Sequence, residues 1–346
     1  MRLNVLSVRR LTSLLSASAL VATLAVASLP AVSAAAATCT PTGFVRDGID
    51  MTAAQIGGKV TGTLDATGCN VGVYYDNTTS GNVTGANIFG ANYFGVVVNG
   101  DVGAVKVNVT NSAIHDIGES PLNGSQHGSG IYYRAFGGTA AGIVSGNTVT
   151  NYQKGGITAN GSVTATITNN TVSGQGPVNY IAQNGIQLGY GAKATVSGNR
   201  VTGNAYTGAN FASSGGILVV GGPIYGLPYT TGLSITKNTL TGNDVGIWLF
   251  NADAAGNAPT TNTNNTLKQN TISNGAVTNT TGTSSTCGYQ AGISVLGHKD
   301  VLVNNSISGF GYKPQAGGDC NQLAPVPAFI RAIDADPSTR VSPSNK

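Results

Sequence analysis

Apolar residues recur along this chain in a fixed relation to asparagine. In the phrases SGNTV, TNNTV, SGNRV, TKNTL, KQNTI and VNNSI, one apolar residue stands three before an Asn and another stands two after it. The asparagines are Asn147, Asn170, Asn199, Asn238, Asn270 and Asn305, with Val144, Ile167, Val196, Ile235, Leu267 and Leu302 ahead and Val149, Val172, Val201, Leu240, Ile272 and Ile307 behind. Ser112 takes the same place between Val109 and Ile114. A second phrase follows each: GVYY, GVVV, GIYY, GITA, GIQL, GILV, GIWL and GISV, keyed on Val73, Val96, Ile131, Ile157, Ile186, Ile217, Ile247 and Ile293.

Self-similarity with a short period marks a solenoid whose unit cannot bury its apolar face alone. No helical spacing is sustained across any unit, whereas short β-branched runs of period two recur with Gly or Asn between them. The units are therefore strands. Three short strands per turn, stacked at about 4.8 Å, form a parallel β-helix. The repeated Asn suits a turn in which its amide bonds backbone or the same amide in the next coil. The N-x-S/T triplets at these places are products of the repeat.

The spacing between phrases is uneven. From the apolar residue after Asn to the next key isoleucine the gap is 8 residues for Val149 to Ile157 and 7 for Leu240 to Ile247. It widens to 17 for Ile114 to Ile131, 14 for Val172 to Ile186, 16 for Val201 to Ile217 and 21 for Ile272 to Ile293. Insertions thus collect along one edge, and those at Pro223 to Thr231 and Asn251 to Asn265 are expected on the opposite side of the same strand.

This grammar resembles the right-handed parallel β-helix superfamily, the pectate-lyase-like and NosD-like repeat proteins, over nearly all of residues 59–330. The resemblance implies an all-β fold: one right-handed parallel β-helix of about nine coils, the last closed by Phe329-Ile330. It also implies that the Asn turns between second and third strands, that the GI phrase opens the first strand, and that the variable connection walls a substrate groove. The catalytic signatures of particular families are missing. There is no paired-Asp and G-H-G set of the polygalacturonases, although Gln126-His127-Gly128 echoes it, no D-P-H of the alginate epimerases, and no acidic calcium cluster of the pectate lyases. No catalytic residue carries over from them.

The ends read differently. Residues 1–37 have the form of a secretory leader: basic Arg2, Arg9 and Arg10, an apolar run from Leu11 to Pro30, then small residues up to Ala37. A secreted protein is expected. No later run reaches the ~18 apolar residues of a membrane span, so no membrane role is expected. Removing the leader's arginines lowers the formal charge from +4 to +1, which takes away the support for a nucleic-acid partner. Residues 38–58 are expected to cap the stack, with Gly48–Gly58 as a short helix. Residues 59–333 form the coil, and 334–346 a fraying tail.

In an exported chain four cysteines point to disulfides, and the local pairings Cys39 with Cys69 and Cys287 with Cys320 would fasten the two ends. Each would contribute ~3 to 4 kcal/mol in the chain-entropy picture. No Cys pair has metal-ligand spacing and His298 stands alone, so neither a metal nor a cofactor is expected.

Only 9% of residues are charged, yet Ile114 to Ile157 contains His115, Asp116, Glu119, the chain's only Glu, and His127, Arg134 and Lys154. Strand alternation turns the residue after each key isoleucine outward, giving a row of Tyr74, Val97, Tyr132, Thr158, Gln187, Leu218, Trp248 and Ser294. Aromatic platforms with amides nearby suit sugar rings. Gln126, Tyr152, Gln153, Tyr180, Gln183 and Asn184 on the neighbouring loops complete a polysaccharide-binding set, in which Arg134, Lys154 and Gln183 are expected to stand in one column.

The favoured reading is a lyase that β-eliminates an acidic polysaccharide. Such an enzyme needs a cation on the carboxylate, here Arg134, a base for the C5 proton, Lys154 or His127, and an acid for the leaving oxygen, Tyr132 or Tyr152. Substrate contacts are expected from His115, Asp116, Glu119, Gln126, Gln153, Tyr180, Gln183, Asn184, Gln187 and Trp248, in a monomer. One alternative is a non-catalytic carbohydrate-binding or surface protein. Another is a glycosidase using Asp116 and Glu119. A structural or ice-binding β-helix would need a flat Thr-rich face, which Thr164, Thr166 and Thr168 begin but neighbouring turns do not continue. The bland alternative to any of these is that His115, Asp116, Glu119 and Arg134 form one ion-pair network pinning a long loop.

Overall fold

The computed structural model describes residues 38–208, 212–278, 289–309, 311–312 and 333–346. The chain coils as a parallel β-helix of three sheets. The first sheet stacks the GI strands: Val71–Tyr75, Phe94–Asn99, the start of Ser129–Ser145, the start of Gly155–Thr168, Asn184–Gly189, Gly215–Gly221, Val245–Asn251 and Ala291–Leu296. Its register carries the expected row unbroken, Tyr74 beside Val97, Tyr132, Thr158, Gln187, Leu218, Trp248 and Ser294. The key residues Val73, Val96, Ile131, Ile157, Ile186, Ile217, Ile247 and Ile293 all lie inside, in one continuous apolar core.

Glycine precedes each key residue because coils approach closely there. A Cβ on Gly156 would stand 2.3 Å from Val172 Cγ1 and 2.6 Å from the Gly185 carbonyl oxygen, so only hydrogen fits.

Between second and third sheets the chain turns on a left-handed residue, Asn111, Gly146, Asn169, Gly198, Lys237, Gln269 or Asn304, and the next residue points inward. Those inward residues form a ladder. The Nδ2 of Asn147 donates to Asn170 Oδ1, and the same bond runs from Asn170 to Asn199, Asn238, Asn270, Asn305 and Asn345 at 2.9–3.0 Å. Each Nδ2 also donates to a core-strand carbonyl, as Asn199 does to Ile167 at 2.9 Å. Buried amides are tolerated here because every hydrogen-bonding group finds a partner.

Both ends depart from expectation. Gly48–Gly58 forms no helix. Strands β1 (Thr40–Arg46) and β2 (Ile49–Ile56) pair antiparallel as a hairpin, and β2 then joins the first sheet against Val71–Tyr75. The reason is local: Asp47 and Gly48 take φ of 52° and 79°, the two left-handed residues of a hairpin turn. At the other end, Ile333–Ala335 and Arg340–Val341 pair with Ala291–Leu296 and Val301–Val303, and Asn345 extends the ladder, so residues 334–346 are a further coil rather than a fraying tail.

Cys39 and Cys69 are disulfide-bonded, Cα–Cα 5.4 Å. The leader, residues 1–37, lies outside the described residues, as do Cys287, Cys320 and the closing Phe329-Ile330. Among the described residues no helix is long and apolar enough to cross a membrane.

Candidate functional site

A groove of about 330 Å³ lies on the outer face of the first sheet, across the coils that begin at Phe94, Ser129, Gly155 and Asn184. Its floor comes from alternation: Tyr132, Thr158 and Gln187 follow inward isoleucines, and Arg134 and Asn160 stand two residues further along in register. Gln187 Nε2 donates to Asn160 Oδ1 at 3.2 Å, and Tyr132 stacks on Phe94 with centroids 5.0 Å apart.

At one end of the strands sit Gln126, His127 and Lys154. His127 Nε2 is 2.6 Å from Glu119 Oε1, and the ring lies flat on Tyr93 at 3.8 Å. Lys154 follows directly, its backbone N–H donating to the Gly128 carbonyl at 2.9 Å. Its Nζ donates to the Ala182 carbonyl at 2.9 Å, and no carboxylate among the described residues pairs with it. Burial disfavours the charged ammonium and lowers its pKa to about 8.

At the other end Arg134 Nη2 meets Asp101 Oδ2 at 2.6 Å, and its guanidinium lies 4.7 Å from the Phe44 ring centre and 5.3 Å from that of Phe136. Asp101 also accepts from the Phe136 N–H at 2.8 Å, which fixes that ring at the rim. Between the two ends Arg46 enters from the tip of the β1–β2 hairpin, paired with Asp47 at 3.2 Å, 37% exposed and within electrostatic reach of both Tyr93 and Tyr190. The groove therefore gathers Arg46, Arg134 and Lys154; Arg46 and Arg134 are paired with Asp47 and Asp101, and Lys154 is the one of the three with no carboxylate partner among the described residues.

The structure divides the residues singled out by sequence. Tyr132, Arg134, Lys154, His127, Gln126 and Gln187 line the groove. Arg134 and Lys154 do so from opposite ends: Arg134 pairs with Asn160, six residues beyond Lys154, about 20 Å at the usual strand rise. The expected column is not formed, and Gln183 turns inward, donating to the Tyr152 carbonyl at 2.6 Å and accepting from the Gln175 N–H at 2.9 Å.

Tyr152 is wholly buried, its hydroxyl donating to Asn204 Oδ1 at 2.6 Å, and burial raises its pKa, so it cannot meet a ligand as an acid. Gln153 is likewise buried and holds a loop, accepting from the Glu119 and Asn123 N–H groups at 3.1 Å and donating to the Ser125 carbonyl at 2.8 Å. Asn184 is buried and accepts from the Gly215 N–H at 3.0 Å. Tyr180 donates to Gln175 on a neighbouring loop. Trp248 stays in the outward row, two coils beyond Gln187.

His115 and Asp116 belong elsewhere. They lie on Ala113–Ile117, a strand of the third sheet, where His115 Nδ1 meets Asp116 Oδ2 at 2.6 Å, its Nε2 meets Asn87 Oδ1 at 2.9 Å, and Asp116 also accepts from Asn151. The hydrogen bonds to Asn151 and His115 lower the Asp116 pKa against the opposing effect of its burial. Asp116 and Glu119 thus face different surroundings and do not form a glycosidase pair across one bond, and Glu119 pairs with His127 rather than in a network with Arg134.

Sequence reasoning missed Arg46, Asp101, Phe136 and Tyr190 as lining or lining-support residues. For Arg46 a signal was present: Asp47-Gly48 between Val45 and Ile49 is a two-residue hairpin signature.

A family model described as a right-handed beta helix region matches residues 59–224 and again 143–321. Among solved structures, the Dettilon tailspike protein is similar at 16% identity over 83% of this chain and 56% of that one, with a TM-score of 0.42. A mutant DFA-IIIase from Arthrobacter chlorophenolicus A6, in complex with DFA-III, is similar at 14% identity over 86% of this chain and 66% of that one, with a TM-score of 0.41. The chain spans little more than half the length of the tailspike. No curated protein matches the sequence.

Proposed function

This chain belongs to the right-handed β-helix family, and from the groove on its first sheet we propose that it binds an acidic polysaccharide outside the cell, as a monomer, and cleaves it by β-elimination. The observation that carries the reading is Lys154. An amine free of any carboxylate partner among the described residues, with its pKa lowered to about 8, lies in a groove that also presents two guanidinium groups. Such an amine is a base that is substantially neutral in mildly alkaline solution.

In the proposed step Arg46 neutralises a uronate carboxylate, which acidifies the adjacent C5 proton. Lys154 takes that proton, the C5–H electron pair becomes the C4–C5 double bond, and the C4–O bond breaks. The departing oxygen takes a proton from His127, which Glu119 orients and which precedes Gly128, the residue whose carbonyl accepts the Lys154 N–H from the next coil. Arg134, near the far end of the strand, holds a carboxylate on another sugar unit. Turnover should rise as pH passes about 8, where Lys154 loses its proton.

The test is to offer purified protein pectate, alginate, hyaluronan and glucuronan and follow the near-ultraviolet absorbance of an unsaturated uronate. Absorbance is expected with at least one polymer, and Lys154→Ala should lower the rate at least ~100-fold while leaving retention on that polymer in place. Unchanged turnover in this variant would remove Lys154 as the base. The separation of Arg134 from Lys154 favours a second reading, binding without cleavage, which predicts retention and no absorbance from any polymer.

A further inference from the structure

Strand alternation sends Tyr74, Val97, Tyr132, Gln187, Leu218 and Trp248 outward from one sheet, and their exposure should be alike. It is not: Tyr74, Val97 and Tyr132 are 3%, 0% and 6% exposed and packed in one apolar cluster, whereas Gln187, Leu218 and Trp248 stay partly open and the small Thr158 and Ser294 are buried outside that cluster. The cover is the β1–β2 hairpin. Phe44 stacks on Tyr74 and lies against Phe94, both at 6.2 Å, and with Met51 and Tyr93 forms a second apolar cluster outside the coil. The Cys39–Cys69 disulfide ties its base to the coil, and its turn carries Arg46 to the groove.

On the other side the groove runs on as rings. Phe136 is 6.3 Å from Tyr190, Tyr190 is 5.6 Å from Tyr225, Tyr225 is 6.2 Å from Phe250, and Phe250 is 6.1 Å from Trp248. The contacts from Tyr190 through Tyr225 to Phe250 step from coil to coil along the helix axis, and Phe250 and Trp248 share one strand. The rings meet edge to face, Tyr225 at 71° to Tyr190 and at 68° to Phe250, and form a continuous aromatic surface, exposed at Tyr225, against which apolar sugar faces can pack.

We infer that the groove is blind on its hairpin side and takes a polysaccharide by its chain end, with the terminal uronate against Arg46 and the following units laid over Tyr190, Tyr225 and Trp248. This rests on the reading of the groove as a uronate site and adds its polarity and length. A site closed by a wall cannot thread an internal segment of a polymer, so any cleavage releases short products from one end.

The experiment is a competition in which soluble polymer displaces the protein from a column of the same polymer, using pectate, alginate, hyaluronan and glucuronan in turn. Each competitor is compared intact and partly depolymerised at equal mass. For an end-directed site the half-displacing mass falls in proportion to mean chain length, because only ends compete. For an internal site it is unchanged, and that result overturns the inference while leaving the uronate reading standing. Retention on none of the four polymers overturns the reading itself and the inference with it. Two surface variants sharpen the outcome when a trisaccharide and a hexasaccharide of the retained polymer are the competitors: Arg46→Ala should weaken binding of both alike, and Tyr225→Ala should weaken the hexasaccharide about five-fold with no effect on the trisaccharide. Equal loss for both lengths in Tyr225→Ala would remove the ring track.

Discussion

At the turn after the second sheet, Asn147, Asn170, Asn199, Asn238, Asn270 and Asn305 are buried and each is satisfied by its own kind in the coils above and below. At the turn before the first sheet such a rung occurs between Asn204 and Asn243, at 2.9 Å, and otherwise the buried polar residues differ from coil to coil. Gln153 holds the loop that carries Glu119, Gln183 holds Gln175 and the Tyr152 carbonyl, Asp244 accepts from the Tyr206 and Ser214 N–H groups at 2.9 Å, and Gln290 accepts from Thr278 at 2.6 Å. One turn satisfies itself by repetition. The other spends a separate polar side chain on each insertion, and there the loops are free to differ and build a groove.

The strongest way to break this comparison is Asn199→Ala. It removes the acceptor used by both the Asn170 N–H and the Asn170 Nδ2, and the donor used by the Ile167 carbonyl. Buried groups left unpaired should cost about 3 kcal/mol, read as a lower urea midpoint at unchanged slope. A loss below about 1 kcal/mol would show that the ladder relaxes and is not the self-satisfying turn described here.

Asp244→Asn sharpens the contrast by pH. Burial raises the Asp244 pKa from 3.8 to about 8, so between those values the folded chain holds a proton that the unfolded chain has lost. Stability of the parent should therefore fall as pH rises through that window, and the neutral amide, able to accept the same N–H bonds, should flatten the fall. Equal slopes in parent and variant, measured by thermal melts across pH, would contradict a buried carboxyl at this turn.

Gln153→Ala should cost about 1 to 2 kcal/mol, since its loop is only partly buried, and should also make residues 118–128 more sensitive to protease. Asn199→Ala should not raise cleavage there selectively. If both variants open the same loop, the two turns are not independent.

The smallest effect is expected at Lys154→Met. The folded pKa of Lys154 is about 8 against 10.5 for an unperturbed lysine, so between those values the unfolded chain carries the extra proton and stability rises with pH. The methionine variant should lose that rise. An unaltered profile would mean the amine is not desolvated.

Why the core was legible and the site only half so follows from these turns. Ile131, Ile157 and Ile186 could be placed inside, and Tyr132 and Gln187 outside, because alternation along a paired strand admits only two directions. Tyr152 ends the strand Thr148–Tyr152 just after the left-handed Asn151, and Gln153 and Gln183 lie before the next strands where the chain bends back, so alternation gives no direction at any of them. His115 stands only four residues before Glu119, yet the bend after Ile117 puts one on the third sheet and the other beside His127. Arg46 is hidden for another reason: Gly48–Gly58 suggests a short helix, whereas Asp47-Gly48 at its start specifies a hairpin turn.

A repeat of Asn and GI phrases determined the coil, its inward residues and the sheet on which outward side chains line up, since each coil can bury its apolar face only against a copy of itself. Tertiary structure alone decided which loop residues turn inward as clamps, which cations share the groove, and that the hairpin closes one side of it. Those outcomes depend on contacts between segments distant in the chain, such as Phe44 with Tyr74, Arg134 with Asp101 and Gln153 with Glu119. No local pattern encodes such meetings, because each is settled by how far neighbouring coils and loops extend before they pack.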